Sequence, residues 1–130
     1  MLINDLPKDK HKKYFQAAYM AAFCCPGFGQ CKRRLGAALV YKKQILTVKT
    51  NTGKTHPKLI INPYPYLHAE TNCILSVGLD NCHGATIYVA RILRNKHIAL
   101  SKPCNNCMYW IQLSGIKQVY YTTEDGYKCL

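Results

Sequence analysis

Two short segments of the chain carry the side chains that a hydrolytic metal centre needs. His68-Ala69-Glu70 supplies an imidazole and a carboxylate, and Pro103-Cys104-Asn105-Asn106-Cys107 supplies two thiols. One imidazole and two thiolates suit zinc, and three protein ligands leave the fourth tetrahedral position of the metal for water. An open position is typical of a catalytic site, because zinc lowers the pKa of a bound water toward neutrality.

The spacing within each segment predicts that both lie at the start of a helix. Cys104 and Cys107 are three residues apart and share a helix face, and the positive end of the helix dipole favours both as thiolates. Pro103 fits before them, because its missing N–H would have no intrahelical partner there. Glu70 can lean over the open side of the metal as a general acid and base. We therefore predict that His68 and the two cysteines bind Zn²⁺ and that Glu70 moves protons.

A structural zinc site is the main alternative for these residues. A single Cys-x-x-Cys segment is weak by itself, since it also occurs in redox and structural metal sites. A closed structural site would need a fourth Cys or His ligand. The combination of the two cysteines with His68 and Glu70 favours the catalytic interpretation.

Length and composition predict one intracellular domain over residues 1–130. A chain of this size that is 48% hydrophobic can bury one sizeable core but not two. The first residues do not resemble a signal peptide, and no apolar run approaches membrane-spanning length. We therefore expect a cytoplasmic protein without a membrane partner, whose eight cysteines stay reduced.

The charge is strongly positive and unevenly distributed. The formal net charge is +12, and the stretch between Asp9 and Glu70 contains eleven Lys or Arg residues and no acid. Such a field concentrates anions near a cleft, whether the phosphate of a nucleotide or the backbone of a polynucleotide. Although any single lysine is better explained by solubility, the charges together favour a phosphorylated, anionic substrate.

Helical and strand patterns alternate along the chain. The first helix is apolar nearly all round its later turns, where Ala17, Met20 and Ala21 join the face that carries Phe15 and Phe23, so we expect it to be buried. Strand–helix–strand succession predicts a partly parallel sheet beside an antiparallel hairpin, with helices on both faces. The predicted elements are helices at 8–25, 68–77 and 104–114 and strands at 35–41, 45–50, 86–93 and 116–122.

The two segments match the H-x-E…P-C-x-x-C signature of zinc-dependent nucleobase deaminases. From the first hairpin to the last strand, the chain resembles the cytidine and deoxycytidylate deaminase superfamily, and residues 103–120 are similar to deoxycytidylate deaminases and to viral and phage deaminases. The resemblance implies a three-layer α/β/α fold, with zinc held by His68, Cys104 and Cys107 and protons moved by Glu70. His in place of Cys as the first ligand argues against the deaminases of free cytidine.

The substrate is predicted less directly than the reaction. We favour a cytosine nucleotide, dCMP or CMP, and the alternative is a nucleic-acid-editing deaminase acting on cytosine in single-stranded DNA or RNA or on adenosine in tRNA. In the loop after the second strand, Lys54 offers a cation for phosphate and Tyr64 and Tyr66 offer rings for stacking, which suits either substrate. Asn51 follows the second strand, where family members often place an Asn against the sugar or base.

Three features depart from the family pattern. The segment 91–102 is longer than in many relatives, so we expect a rebuilt rim of the pocket. The chain ends soon after Glu124-Asp125-Gly126, where relatives add a strand and helices, so we expect an exposed sheet edge and a mobile terminus around Cys129. Substrate contacts made by later segments of some relatives are missing, and we expect a homo-oligomer that could supply them.

A second metal site is a further alternative. Cys24, Cys25 and Cys31 cluster in sequence at the end of the first helix, and Cys82-His83 precedes the third strand. Some deoxycytidylate deaminases carry a second, structural zinc. Free cysteine is among the most buried residue types, so we favour plain packing for these side chains, as for Cys73 inside the second helix.

Overall fold

The computed structural model describes residues 1–24, 34–52 and 68–130, which form a mixed sheet with helices on both faces. No helix in these ranges combines the length and apolar character needed to cross a membrane. Two short 3-10 helices, Ile3–Asp5 and Leu79–Asn81, lie at the start of the chain and after the second α-helix. The α-helices and strands are α1 (Lys12–Cys24), β1 (Arg34–Tyr41), β2 (Gln44–Thr50), α2 (Ala69–Val77), β3 (Thr86–Ile92), β4 (Ile98–Ala99), α3 (Asn105–Ser114), β5 (Gln118–Thr123) and β6 (Gly126–Cys129).

The sheet has the strand order β2-β1-β3-β5-β6, and the short strand β4 pairs with the end of β3. Strands β1 and β2 form the predicted antiparallel hairpin, and β3 and β5 pair in parallel on either side of the α3 crossover. The remaining pairs, β1 with β3, β3 with β4 and β5 with β6, are antiparallel. The predicted mixed sheet with a hairpin and parallel strands is therefore confirmed.

Alternate side chains of the central strands enter two separate cores. In β1, Ala38 and Val40 pack on the face covered by α1, whereas Ala37 and Leu39 pack on the face covered by α2 and α3. Successive strand residues point to opposite faces, so a strand covered on both sides is apolar at consecutive positions. The two cores confirm the predicted three-layer α/β/α arrangement.

Two glycines are required by the packing. A Cβ on Gly36 would lie 1.8 Å from the Ala18 carbonyl oxygen, so its absence lets α1 approach β1 closely. Gly115 has φ 77° and ψ 19° at the end of α3, a left-handed conformation that favours glycine. The prediction that Gly115 ends this helix is confirmed.

The first helix is shorter and less buried than predicted. It begins at Lys12 because the Asp9 carboxylate accepts the His11 N–H at 2.9 Å and holds the preceding residues in a turn. Met20 is 56% exposed and Phe23 is 42% exposed, so the prediction that this helix is buried was wrong for its later turns. An outer helix of a three-layer fold needs one apolar face only, and here that face centres on Phe15 and Ala18.

The end of the chain is ordered where we predicted a mobile terminus. Gly126–Cys129 forms β6, which pairs with β5 and places Cys129 opposite Tyr120. Strand β6 therefore covers β5 and is itself the edge strand on this side of the sheet. The Tyr127 hydroxyl also donates to the Asp9 carboxylate at 2.5 Å, which ties this strand to the approach to α1.

Candidate active site

The predicted metal ligands meet where α2 and α3 begin. His68 is the N-cap of α2, Cys104 is the N-cap of α3, and Cys107 lies in the first turn of α3. The ligand atoms of these three residues all lie within 4.8 Å of one another. His68 Nδ1 is 3.2 Å from Cys107 Sγ and 3.7 Å from Cys104 Sγ.

These separations fit a tetrahedral zinc ion. Zn–S bonds of about 2.3 Å and Zn–N bonds of about 2.0 Å at tetrahedral angles place a nitrogen and a sulfur about 3.5 Å apart. The two N···S distances lie on either side of this value. The ligand set has three members, which would leave the fourth position open to water.

A hydrogen bond from the Cys107 thiol to Cys104 separates the pKa values of the two side chains. Hydrogen bonds from Cys107 and from His68 lower the pKa of Cys104 to about 3. The hydrogen bond to Cys104, together with burial and the charge of Glu70, raises the pKa of Cys107 above its usual value. A divalent cation would displace this proton, since thiolates are the metal-binding form.

Glu70 lies in the first turn of α2, beside the ligand group. The side chain is 3% exposed, and Oε1 has no hydrogen-bond partner among the described residues. Burial raises the pKa of Glu70, although His68 and a hydrogen bond from Cys107 partly oppose the shift. A carboxyl with a raised pKa holds a proton more readily near neutral pH and can release it again, which suits a general acid and base.

Hydrogen bonds to the sheet fix the start of α2. Asn72 Nδ2 donates to the Thr50 carbonyl at the end of β2, at 3.0 Å. Cys73 Sγ donates to the Ala37 carbonyl of β1 at 3.3 Å, and burial raises the pKa of Cys73 to about 12. Cys73 is fully buried, as we predicted for a core thiol. These contacts hold the turn that presents His68 and Glu70.

A buried hydroxyl pair fixes the segment that leads to Cys104. Ser101 Oγ donates to the Val89 carbonyl and accepts the Thr122 N–H, both at 2.8 Å. Thr122 Oγ1 donates to the Ala99 carbonyl at 2.8 Å. The segment before Pro103 is therefore attached to both β3 and β5, and the start of α3 is placed accordingly.

A cleft of about 70 Å³ opens beside the ligand group and Glu70. The cations Arg91 and Lys102 line it, as do Leu35, Leu100 and Ser101. Sequence reasoning identified 91–102 as a rebuilt rim but assigned none of its side chains to the site. The basic character of Arg91 and Lys102 was a signal, but the pairing of β3 with β4 brings them together, and that pairing is not local in sequence.

The predicted substrate residues are only partly described. Asn51 is 2% exposed, and its Oδ1 accepts a hydrogen bond from the Leu35 N–H at 3.0 Å, so it joins the end of β2 to the start of β1. Since Leu35 lines the cleft, Asn51 supports its wall. A direct contact of Asn51 with substrate stays a prediction. Lys54, Tyr64 and Tyr66 lie outside the described residues.

The candidate second metal site is described at three of its five residues. Cys24 is exposed at the end of α1. Cys82 is buried and donates to the Gly78 carbonyl at 3.3 Å, and the neighbouring His83 packs against Gly115. Across 1–24, 34–52 and 68–130, His68, Cys104 and Cys107 form the group of three or more residues able to hold a metal. Cys25 and Cys31 lie outside these ranges.

Comparison with protein families identifies the class to which this fold and ligand group belong. The model of the cytidine and deoxycytidylate deaminase zinc-binding region matches residues 8–123. The chain therefore belongs to the cytidine and deoxycytidylate deaminase family. A comparison with curated proteins finds no match.

Solved structures show the same fold. The apo form of dCMP deaminase from the cyanophage S-TIM5 has a TM-score of 0.64 and 21% identity, over 91% of this chain and 86% of that chain. The complex of the same cyanophage enzyme with dCMP and dUMP has a TM-score of 0.63 and 21% identity, over 91% of this chain and 84% of that chain. RibD from Acinetobacter baumannii, form 1, has a TM-score of 0.56 and 19% identity, over 88% of this chain and 28% of that chain. The protein thus has a cytidine deaminase-like α/β fold.

Proposed function

We propose that the protein is a zinc-dependent hydrolytic deaminase of a cytosine nucleotide, dCMP or CMP, which it converts with water into the uracil nucleotide and ammonia. The observation that carries the proposal is the buried Glu70 carboxylate, with an unpartnered oxygen, beside three side chains that fit zinc. A structural zinc site has no use for such an acid, because burying a carboxylate oxygen without a hydrogen bond costs free energy.

His68, Cys104 and Cys107 would hold the metal, as their separations fit it. When bound, zinc would lower the pKa of a water in its open position and so supply a nucleophile near neutral pH. As the water oxygen bonds to the amine-bearing ring carbon, Glu70 Oε1 would accept a proton from the water and deliver it to the pyrimidine ring nitrogen. The carboxyl would then take the remaining proton from the hydroxyl on that carbon and deliver it to the amine, so that the C–N bond breaks, ammonia leaves and the oxo base forms.

Arg91 and Lys102 support a phosphorylated substrate. Both line the cleft that contains Glu70, and no aspartate or other glutamate lines it within the described residues. Arg and Lys are the side chains that hold phosphate oxygens through charge-assisted hydrogen bonds. The fold is also that of a cyanophage dCMP deaminase whose structure is solved with dCMP and dUMP.

The substrate is decided by ammonia release from zinc-loaded protein offered dCMP, CMP, cytidine, a single-stranded DNA oligonucleotide and tRNA. We expect turnover of a cytosine monophosphate, with cytidine slower because it lacks the phosphate that Arg91 and Lys102 would bind. Turnover of the oligonucleotide or of tRNA with no turnover of either monophosphate would overturn the nucleotide proposal and favour editing.

A charge variant tests the phosphate contact separately from the chemistry. Lys102→Gln should raise the KM for the monophosphate about tenfold, the size of one lost charged hydrogen bond, while leaving cytidine unaffected. Lys128→Gln is the matched control, since Lys128 is an exposed lysine of β6 away from the cleft. An equal change in KM for the monophosphate and for cytidine would contradict a phosphate contact at Lys102.

A further inference from the structure

Strand β3 changes its pairing partner beside the catalytic cleft. Residues Thr86–Val89 pair in parallel with β5, whereas Arg91 and Ile92 pair antiparallel with β4. Successive strand residues alternate between faces, so Arg91 lies on the same face of the sheet as Val89. Val89 belongs to the core under α2 and α3. The change of partner therefore falls next to the cleft, which Arg91 lines.

Thr122 of β5 supplies the hydrogen bonds that this junction needs. Its Oγ1 accepts the Arg91 N–H at 3.2 Å and donates to the Ala99 carbonyl at 2.8 Å. Its N–H donates to Ser101 Oγ at 2.8 Å, and its carbonyl accepts the Ser101 N–H at 3.0 Å. Thr122 is fully buried, and a buried hydrogen bond is stronger than one that competes with water. One residue thus fixes both ends of the segment 91–101, which we call the rim hairpin.

The turn of the rim hairpin is held by α1. The Tyr19 hydroxyl donates to the Lys96 carbonyl at 3.2 Å. The Lys96 ammonium lies 5.8 Å from the centre of the Phe23 ring, which in turn stacks with the ring of Tyr19. The rim hairpin is therefore attached to the sheet at its base, through Thr122, and to α1 at its tip, through Tyr19.

The cations of the cleft lie at the base of the rim hairpin. Arg91 begins the hairpin and Lys102 follows its last residue, and both line the cleft. Their side chains are long and lose rotamer freedom when they hold a ligand, so two of them reach one phosphate only if the backbone fixes their separation. Thr122 and Tyr19 are not among the described residues that line the cleft. They can affect a substrate there only by positioning the hairpin.

We propose that Thr122 and Tyr19 are positioning residues that set the preference of the protein for a phosphorylated substrate. Each hydroxyl holds one end of the rim hairpin, so that Arg91 and Lys102 reach the same phosphate. This inference rests on the proposed function, since the phosphate is that of the nucleotide. Tyr19 acts at the tip of the hairpin, away from Cys104, and so separates an effect on phosphate binding from an effect on the metal ligands.

Calorimetric binding of dUMP and of deoxyuridine to the zinc-loaded full chain measures the contribution of the phosphate without turnover. We expect the wild type to bind dUMP about tenfold or more tightly than deoxyuridine, the size of a charge-assisted hydrogen bond. Tyr19→Phe and Thr122→Val should each reduce this ratio about threefold or more, with the affinity for deoxyuridine unchanged. A ratio that keeps its wild-type value in both variants would overturn the proposal.

Two further variants separate positioning from general loss of stability. Tyr14→Phe is the matched control for Tyr19→Phe, since the Tyr14 hydroxyl also donates from α1 to a backbone carbonyl, that of Lys43 in the turn between β1 and β2, at 3.1 Å. Its ratio should stay at the wild-type value. Thr122→Ser retains the hydroxyl and should keep the ratio that Thr122→Val loses. An equal loss of the ratio in Tyr14→Phe, or lower stability to urea in Thr122→Val with an unchanged ratio, would overturn the positioning role.

Ammonia release from dCMP and CMP, measured on the same samples, keeps this inference distinct from the proposed function. A wild type that turns over neither monophosphate would overturn the proposed function, while the ratio of the two dissociation constants still decides the positioning role. Turnover of a monophosphate with an unchanged ratio in Tyr19→Phe and Thr122→Val would overturn the positioning role alone. A wild type that binds dUMP no more tightly than deoxyuridine would overturn the phosphate contact and this inference with it.

Discussion

The two ends of strands β1 and β3 present opposite kinds of chemistry. At one end, Leu35 and Arg91 flank a cleft in which a few buried groups are fixed by hydrogen bonds to the sheet. At the other end, Val40 and Thr86 flank a wider cavity lined by lysines. The chemistry of the first end depends on the positions of individual atoms, whereas the electrostatic field of the second end depends on the summed charge of several lysines. Substitutions should therefore have large local effects at the first end and graded effects at the second.

Loss of one metal ligand should produce the largest effect. Cys107→Ala is expected to lower zinc content far below one ion per chain and to lower turnover about a thousandfold or more, because water without the metal keeps a pKa of about 15.7. Zinc content and ammonia release measure the two effects. Cys82→Ala is the matched control, since it removes a buried thiol that donates to the Gly78 carbonyl at the far end of α2 and is not part of the ligand group. Equal zinc loss in both variants would contradict the assigned ligands.

The second-largest effect is expected at the hydroxyl pair of Ser101 and Thr122, which fixes the segment that leads to Cys104. Ser101→Ala leaves the buried Thr122 N–H without this acceptor, and we expect it to lower the free energy of unfolding by about 1–3 kcal/mol. Urea unfolding measures the change. Ser114→Ala removes a buried hydroxyl that donates only within its own helix, to Ile111 at 2.8 Å, and should cost less. A larger loss of unfolding free energy in Ser114→Ala than in Ser101→Ala would show that the Ser101–Thr122 pair does not hold the segment before Cys104.

At the lysine end, one substitution should stabilise the fold. Lys43→Gly places glycine at φ 65°, and we expect the free energy of unfolding to rise by about 1 kcal/mol or less. The comparison is Lys128→Gly in β6, where glycine should destabilise the strand. A loss of stability in Lys43→Gly, measured by urea unfolding, would argue that the turn is not strained.

The smallest effect concerns the link between Asp9 and β6. The hydrogen bond from Tyr127 lowers the pKa of Asp9 in the folded protein. The bond therefore contributes stability at pH values above the usual pKa of an aspartate. This stability is lost as the pH falls through the lower pKa that Asp9 has in the folded protein. Asp9→Asn should therefore reduce stability at neutral pH by less than about 1 kcal/mol and flatten its decline in acid, since the carboxylate is exposed. Asp80→Asn, at another exposed acid, is the matched control and should leave the stability at neutral pH unchanged.

The difference between contacts within one element and contacts between distant segments explains what the sequence could predict. His68, Glu70, Cys104 and Cys107 were identified because each pair is close in sequence and local helix geometry aims both members. The hairpin of β1 and β2 was predicted as well, because its two strands follow each other closely along the chain. The sheet, its hairpin and the helices on both faces followed from apolar patterns that repeat within single elements.

The rest depends on contacts between distant segments. Arg91 and Lys102 reach the cleft only through the pairing of β3 and β4. The strand at 126–129 was missed because Gly126–Cys129 is short, half polar and stabilised by β5 and Asp9. The positive charge of the first half was visible in sequence, but its convergence on one cavity required four elements to fold together.

The most direct test of the central claim is ammonia release from dCMP by zinc-loaded wild-type protein and by Glu70→Gln. We predict that the wild type converts dCMP to dUMP with one ammonia per nucleotide. Glu70→Gln should bind as much zinc and lose about a thousandfold in turnover, within the range for a lost general acid and base. Turnover retained in Glu70→Gln, or a fully zinc-loaded wild type inert toward both dCMP and CMP, would contradict the account.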